Sequence, residues 1–346
     1  MNITTVGIDL AKSVFQVHAV DARGKVVLRK QLRRSEMGGF FTNLPPCLIG
    51  MESCGSAHYW GRKLHSQGHT VRLMAPQFVK PYVKSNKNDM ADAEAICEAV
   101  ARPHMRFVPL KSIEQQSVIA LHRVRQGFVR ARTAQANQIR GLLGEMGLVI
   151  PQGIWHIAKR VPVLLESARN DLPASFRALI ERLTEHLKLL DRQVDEIHRQ
   201  ILAWHRSCSL SQKLQQVPGV GPLTATALIA TVADAHTFKN GRQMAAWLGL
   251  VPRQSSSGGK PKLLGISKRG NSYLRTLMVH GARSAILAAR SGRAIRANPW
   301  LAKLLDRSHT NVACVALANK NARILWALMV HGKDFDPGYV ASRSLA

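Results

Sequence analysis

The 346-residue chain carries 49 Lys and Arg against 21 Asp and Glu, a formal net charge of +28, and so much positive charge calls for a polyanionic partner, nucleic acid first among them. With 46% hydrophobic residues the chain can build proper cores over about two domains, which excludes a disordered basic tail. The absence of a run of roughly 18 apolar residues and of a signal-peptide core sets a membrane role aside, so the expectation is a cytoplasmic, nucleoid-associated protein.

The N-terminus reads as strand, turn, strand, turn, strand: "TTVGIDLA", "SVFQVHAV", the short hairpin link "DARGK", then "VVLRKQL". A fourth strand "CLIGMES" precedes a helix from about Ala57 to Ser66, a fifth strand "TVRLMA" follows, and helices start near Gln77 and Asp89. Three antiparallel strands followed by alternating strand and helix is the order of an RNase H-like α/β fold. From Ile113 to Met146 the pattern is helical and basic, with Arg123, Arg125, Arg130, Arg132 and Arg140 against Glu114 and Glu145. The stretch "PQGIWHIAKRVP" then reads as a proline-bounded break and a domain edge.

Phe176, Ile180, Leu183, Leu187, Leu190, Val194, Ile197 and Ile201 recur in alternating steps of four and three. That heptad seam predicts a coiled-coil connector that also pairs subunits, the alternative being an amphipathic helix packed on its own domain. "LQQVPGVGPLTATALIATV" resembles a helix-hairpin-helix element, whose backbone N–H groups hold a phosphate; a plain αα-hairpin would need the same glycines for its backbone angles. The expected organisation is an α/β domain over 1–150, a coiled-coil linker over 151–205 and a mostly helical domain over 206–346. The five cysteines lack zinc-ligand spacing and read as reduced, mostly buried apolar residues, and the 14 histidines are scattered without a ligand pattern.

Two constellations carry chemistry. Asp9 ends the first strand, Glu52 ends the fourth, and Asp89 and Asp92 stand three apart in "KNDMADAEAI", on one face of a helix. In an RNase H-like fold those places converge, and four carboxylates there suit Mg²⁺ and phosphoryl transfer. Taken singly, an Asp after a strand is a turn residue and Asp89 is a helix cap. The second is "RQSSSGGKPK", where serine hydroxyls sit among cations, or which is simply a Ser/Gly loop. No Asp or Glu occurs between Asp234 and Asp306, while thirteen Lys or Arg do.

Together "GIDLAK", "GMESCG", "KNDMADAEAI", "VPGVGPLTATALIA" and "GLVPRQSSSGGKPKLLGISKRGNSYLR" resemble the DEDD-type transposases of the 110/1111 insertion-sequence family, the group of bridge-RNA-guided recombinases. The resemblance covers nearly the whole chain and implies a RuvC-like N-terminal domain and a C-terminal transposase domain. It places Asp9, Glu52, Asp89 and Asp92 as Mg²⁺ ligands and Ser257 as nucleophile, with Ser255 and Ser256 beside it. Attack by serine leaves a phosphoserine link to one DNA end and a free 3′-hydroxyl, so strands are rejoined without ATP. The resemblance further implies double-stranded DNA as substrate, a structured guide RNA and a homo-oligomer, dimer to tetramer. Lys260, Lys262, Lys268, Arg269 and Arg275 are then phosphate-neutralising residues, and the basic helix over Arg123 to Arg140 is a place for the RNA. A Holliday-junction nuclease of the RuvC type, cleaving with water, and a non-catalytic nucleic-acid-binding protein are the rival readings.

Overall fold

The structure is a computed structural model and describes residues 2–84, 88–167, 170–291 and 299–338. Lys87 of the "KNDMADAEAI" stretch lies outside them. Backbone contacts divide the chain into two compact units: 1–114 with 232–234, and 115–231 with 235–346.

The first unit runs β1 (Thr5–Leu10), β2 (Val14–Val20), β3 (Val26–Arg33), α1 (Met37–Thr42), β4 (Leu48–Glu52), α2 (Ala57–Ser66), β5 (Thr70–Met74), α3 (Pro76–Val79), α4 (Asp89–Val100) and β6 (Phe107–Val108). They form one mixed sheet in the order β3-β2-β1-β4-β5-β6. Pairing is antiparallel among β1, β2 and β3, parallel from β1 through β4 to β5, and antiparallel again at β6. The β2–β3 link turns on Asp21, whose Oδ1 accepts the Arg23 and Lys25 N–H groups at 2.9 Å, and on Gly24 at φ +78°. Helix α1 and strand β6 were not foreseen: "MGGFFT" carries two glycines, and a two-residue strand is below what alternation can register.

Both faces of the central strands are covered, which is why "LIGME" reads as nearly continuous apolar sequence. Ile8, Phe15, Val17, Ile49, Met51 and Leu73 pack with Met37, Phe41, Trp60 and Leu64 of α1 and α2 on one face. On the other lies α4, with Ala95, Ile96, Ala99 and Val100 in a second cluster. Two glycines admit it. A Cβ on Gly7 would stand 2.2 Å from the Ala93 oxygen and 2.4 Å from the Cys97 nitrogen, and one on Gly50 would stand 2.7 Å from Val100 Cβ.

The second unit takes in nearly all of α5 (Ile113–Glu145), then α6 (Ile154–Glu166), α7 (Ala174–Ser207), α8 (Ser209–Gln215), α9 (Pro222–Val232), α10 (Gly241–Trp247), β7 (Pro252–Gln254), β8 (Leu263–Ile266), α11 (Ser272–Arg290), α12 (Pro299–Arg307) and α13 (Thr310–His331). The expected break at 151–162 holds only for its first three residues; Ile154 onward is helix, with Pro162 inside it. Arg177 stabilises the end of that helix by donating to the Leu165, Ser167, Asn170 and Leu172 carbonyls.

The heptad seam is satisfied within the chain. Ile180 and Leu187 are buried with Ala136, Ile139 and Leu143 of α5 and Ile157 and Val161 of α6, while Phe176 and Leu183 pack on the same cluster. Arg132 pairs with Asp191 at 2.9 Å, and His186 meets Gln135 at 2.9 Å. Leu190, Val194 and Ile201 are also buried in the single chain, so the seam does not wait for a second subunit, as the spacing alone had suggested. In the glycine hairpin between α8 and α9, Gly219 has φ +87° and its missing Cβ would lie 2.6 Å from the Gly281 carbonyl of α11. Asn321 of α13 donates to the Pro218 carbonyl at 2.8 Å. The hairpin's first glycine is therefore a packing residue.

All five cysteines are free, three of them buried. Burial pushes the Cys47 thiol up to about 11 and the Cys97 thiol up to about 12, so both stay protonated as apolar core groups.

Candidate active site

In the first unit the parallel register pairs Gly7 with Gly50 and Ile8 with Met51. Asp9 and Glu52 come next on adjacent strands, and they share a face because a parallel ladder keeps paired residues on the same side. That face is the one carrying α4, since Gly7 and Gly50, two residues back on each strand, are the positions α4 touches. The Cys54 thiol just beyond β4 registers both carboxylates: its pKa is raised first by burial, then by Glu52 and Asp9.

Asn88 caps α4, its side chain accepting the Ala91 N–H at 2.8 Å. Asp89 is thus not the cap, and Asp89 and Asp92 stand together in the first turn, where the helix dipole favours negative charge. Asp89 is exposed and Asp92 half-buried. Ala93, the next residue, sets its carbonyl against Gly7, which brings the start of α4 to the β1 end that carries Asp9. The structure so groups Asp9 with Glu52 and Asp89 with Asp92. Among the described residues, no three His, Cys, Asp or Glu side chains form a set able to hold a metal ion. The donor chemistry nevertheless fits a hard divalent cation, as all four groups are carboxylates.

In the second unit the Ser/Gly stretch is a β-hairpin rather than a flexible loop. β7 and β8 pair antiparallel, and a bridge joins Ser257 to Lys260 across Gly258 and Gly259. Both glycines lie at positive φ, +54° and +73°, the angles of the tight two-residue turn that matches strand twist. Ser257 therefore flanks the turn at the tip. Its carbonyl accepts the Lys260 N–H at 3.0 Å, and the Ser255 N–H donates to the Lys262 carbonyl at 2.9 Å. The Ser256 hydroxyl is engaged in the hairpin, accepting from Lys262 N–H at 3.1 Å and Gln254 Nε2 at 3.0 Å. The Ser257 hydroxyl makes no hydrogen bond to any described residue, and residues 252–265 are all exposed.

The block that follows anchors the hairpin. The Ser267 and Lys268 N–H groups donate to the Val251 and Gly249 carbonyls. A Cβ on Gly270 would stand 1.9 Å from the Trp247 oxygen, so that position admits only glycine. Asn271 caps α11 by accepting the Leu274 N–H at 3.0 Å. Lys260, Lys262, Lys268 and Arg269 are exposed, in keeping with a phosphate-facing surface. Arg275 differs: its Nη1 donates to the Leu248 and Arg269 carbonyls, bracing the loop. From α11, Tyr273 meets the buried His122 of α5 at 2.9 Å, and His122 meets Thr226 of α9 at 3.0 Å. Sequence reasoning missed this network and the Gln254–Ser256 brace, because lone polar residues in helices carry no spacing signal and the brace exists only once the hairpin strands pair.

Against known families, residues 211–298 match the model described as transposase of the IS116/IS110/IS902 family, and residues 6–147 match the IS110 DEDD transposase model. A "Probable family 20 transposase" of Pseudomonas aeruginosa is 52% identical over 98% of this chain and all of its own length. The chain belongs to the IS110-type family of insertion-sequence transposases. The transposase for insertion sequence element IS1111A of Coxiella burnetii is 42% identical, covering 97% of this chain and 92% of its own. That for IS1328 of Yersinia enterocolitica is 42% identical over 96% and 99%. This transposase thus acts on DNA, and its DEDD domain implies a divalent metal ion. The four carboxylates fall in the first matched region and Ser257 in the second. Among the described residues no helix is long and apolar enough to cross a membrane.

Proposed function

We propose that this transposase cuts and rejoins DNA through attack by the Ser257 hydroxyl, with Mg²⁺ as the divalent ion and Asp9, Glu52, Asp89 and Asp92 as its ligands. The observation that carries the serine assignment is the turn: of three adjacent serines, Ser257 flanks the Gly-Gly tip with its hydroxyl outside the hairpin's own bonding, while that of Ser256 is held by Gln254 and Lys262. The sheet order and the strand-end carboxylates support a RuvC-like fold for the first unit.

In the reaction the Ser257 Oγ–P bond forms and the P–O3′ bond breaks. The hydroxyl proton ends, by way of solvent, on the departing 3′ oxygen. Asp9, Glu52, Asp89 and Asp92 would hold the divalent ion, which would supply polarisation of the scissile phosphate. Lys260, Lys262, Lys268 and Arg269 hold phosphates near the hairpin, and the phosphoserine ester conserves the bond energy for rejoining. An element-encoded RNA supplies target choice, with the exposed Arg123 and Arg130 of α5 as its contacts; Arg132 and Arg140 are engaged inside the chain. The active assembly is a homo-oligomer at the nucleoid, built on faces other than the α7 seam.

Covalent trapping tests the serine step. Protein, element RNA, Mg²⁺ and labelled element-end DNA are incubated and resolved in SDS. The expected result is a protein–DNA band that requires Mg²⁺, persists in Ser256→Ala and is absent in Ser257→Ala. Cleavage without a band, equal in both variants, would establish hydrolysis by water as in a junction nuclease.

A further inference from the structure

A cavity of about 800 Å³ opens in the first unit between α2, the turn entering β2 and the turn leaving β3. Its size is that of a small-molecule or nucleotide site. Arg33, Arg34 and Lys63 line it, with Ser13, Tyr59 and Trp60, and no Asp or Glu is among the lining residues. The nearest carboxylate in sequence, Glu36, has Oε2 on the Arg33 backbone N–H at 2.7 Å. None of the three cations forms an ion pair with a described carboxylate. The Arg34 guanidinium lies 5.5 Å from the Trp60 ring centre and 5.7 Å from that of Phe15, and Lys63 Nζ lies 5.2 Å from Trp60. Tyr59 sits edge-on to Trp60 at 5.2 Å and is 49% exposed.

Trp60 supplies an independent sign. It is 3% exposed, and its Nε1–H has no acceptor among the described residues. Buried donors are nearly always satisfied, so this orphan is an unmet polar group in a residue that also lines the cationic cavity. Exposed aromatic and guanidinium groups beside unpaired cations are what hold a base and its phosphate in single-stranded nucleic acid. An acidic peptide matches the charge and leaves the ring surface unused.

We propose that this cavity binds one unpaired nucleotide of a polynucleotide strand, its base on Tyr59 and its phosphate among Arg33, Arg34 and Lys63. The place suits the task. Ser13 is four residues beyond Asp9, a chain distance of at most about 14 Å, and α2 follows the Glu52 strand directly. The cavity, on the α2 face, and the carboxylates, on the α4 face, share one end of the sheet, so a strand held here by an unstacked nucleotide is kept from re-pairing at that end. The proposal rests on this family's action on DNA and not on the Ser257 assignment.

The test needs no cleavage. Full-length protein is photo-crosslinked to two oligonucleotides of one sequence, single-stranded DNA with 5-bromodeoxyuridine and single-stranded RNA with 5-bromouridine, and adducts are mapped by mass spectrometry. Anisotropy at fixed salt gives affinities for wild type, Tyr59→Ala, Tyr59→Phe and a remote charge control, Arg199→Ala, on α7. The expected results are an adduct on Tyr59 or Trp60, a loss of roughly tenfold in Tyr59→Ala, and recovery in Tyr59→Phe, which keeps the ring. An adduct with only one oligonucleotide names the strand as DNA or RNA; adducts with both mean that the sugar is not read. Adducts confined to other segments, or a Tyr59→Ala affinity no lower than that of Arg199→Ala, would overturn the proposal. The Ser257 trapping result stands whichever way this falls.

Discussion

His122 is buried between helices, and its bonding fixes its tautomer. The Thr226 hydroxyl gives its proton to the Pro222 carbonyl at 2.7 Å, so it receives the Nε2–H of His122, and Nδ1 accepts from the Tyr273 hydroxyl. Burial, and then the nearby Arg125 charge, push the His122 pKa down from 6.5 to about 4. The unfolded chain binds this proton at a higher pH than the folded one, so the neutral ring stabilises the fold fully above about pH 6.5 and loses that contribution as pH falls toward about 4. Wild type should therefore lose about 2 kcal/mol more stability than His122→Gln between about pH 7 and about pH 5. Denaturant unfolding of both proteins at the two pH values measures it; identical losses would show that His122 does not titrate in that window. Nothing in the sequence announced this residue, since one histidine among 14 has no pattern. Ser257 was legible only as one of three serines before two glycines. What distinguishes it, the positive φ angles of Gly258 and Gly259 and the Ser256 brace, exists only once the strands pair.

At the scale of elements, α4 reaches the carboxylates because the sheet gives way beneath it at Gly7 and Gly50. A methyl group at either place must displace backbone or Val100 and lift the helix from the sheet. Gly7→Ala and Gly50→Ala should each cost about 1–3 kcal/mol and impair DNA cleavage by shifting Asp89 and Asp92 from the strand ends. Gly39→Ala in α1, which meets nothing within 4 Å, should leave both unchanged. Thermal unfolding and a cleavage assay on the three variants check this; a harmless Gly7→Ala would mean that α4 is not seated as described. Strands β1 to β5 and the starts of α2 and α4 were legible because alternation, turn residues and caps are local signals, whereas β6 and the β7–β8 hairpin were too short to register. Helix α6 was hidden by Pro162, whose presence usually ends a helix, and its end is sustained by Arg177 from the next helix. The α7 seam was legible as a seam but not its partner: a heptad records that a face is buried, while the identity of the covering helix is a tertiary fact.

For the whole molecule, +28 is what remains of the 49 basic residues after all 21 carboxylates are set against them, so internal ion pairs cannot neutralise it. Polyanion binding should weaken steeply with salt, because each phosphate neutralised releases condensed counter-ions. Along α5 the structure separates the basic residues, with Arg132 bound to Asp191 and Arg140 to Pro151 and Asn137, whereas Arg123 and Arg130 are exposed. If those two contact the proposed element RNA, Arg123→Ala with Arg130→Ala should lower its affinity and make the plot of log affinity against log salt shallower by about 1.5. Arg132→Ala should instead act through stability, by freeing Asp191 beside α5. Filter binding over a salt series, with unfolding curves for each protein, tells the two effects apart. An unchanged slope in the double variant would remove α5 from the RNA surface and leave the charge of the second unit's hairpin and loop as its next candidate.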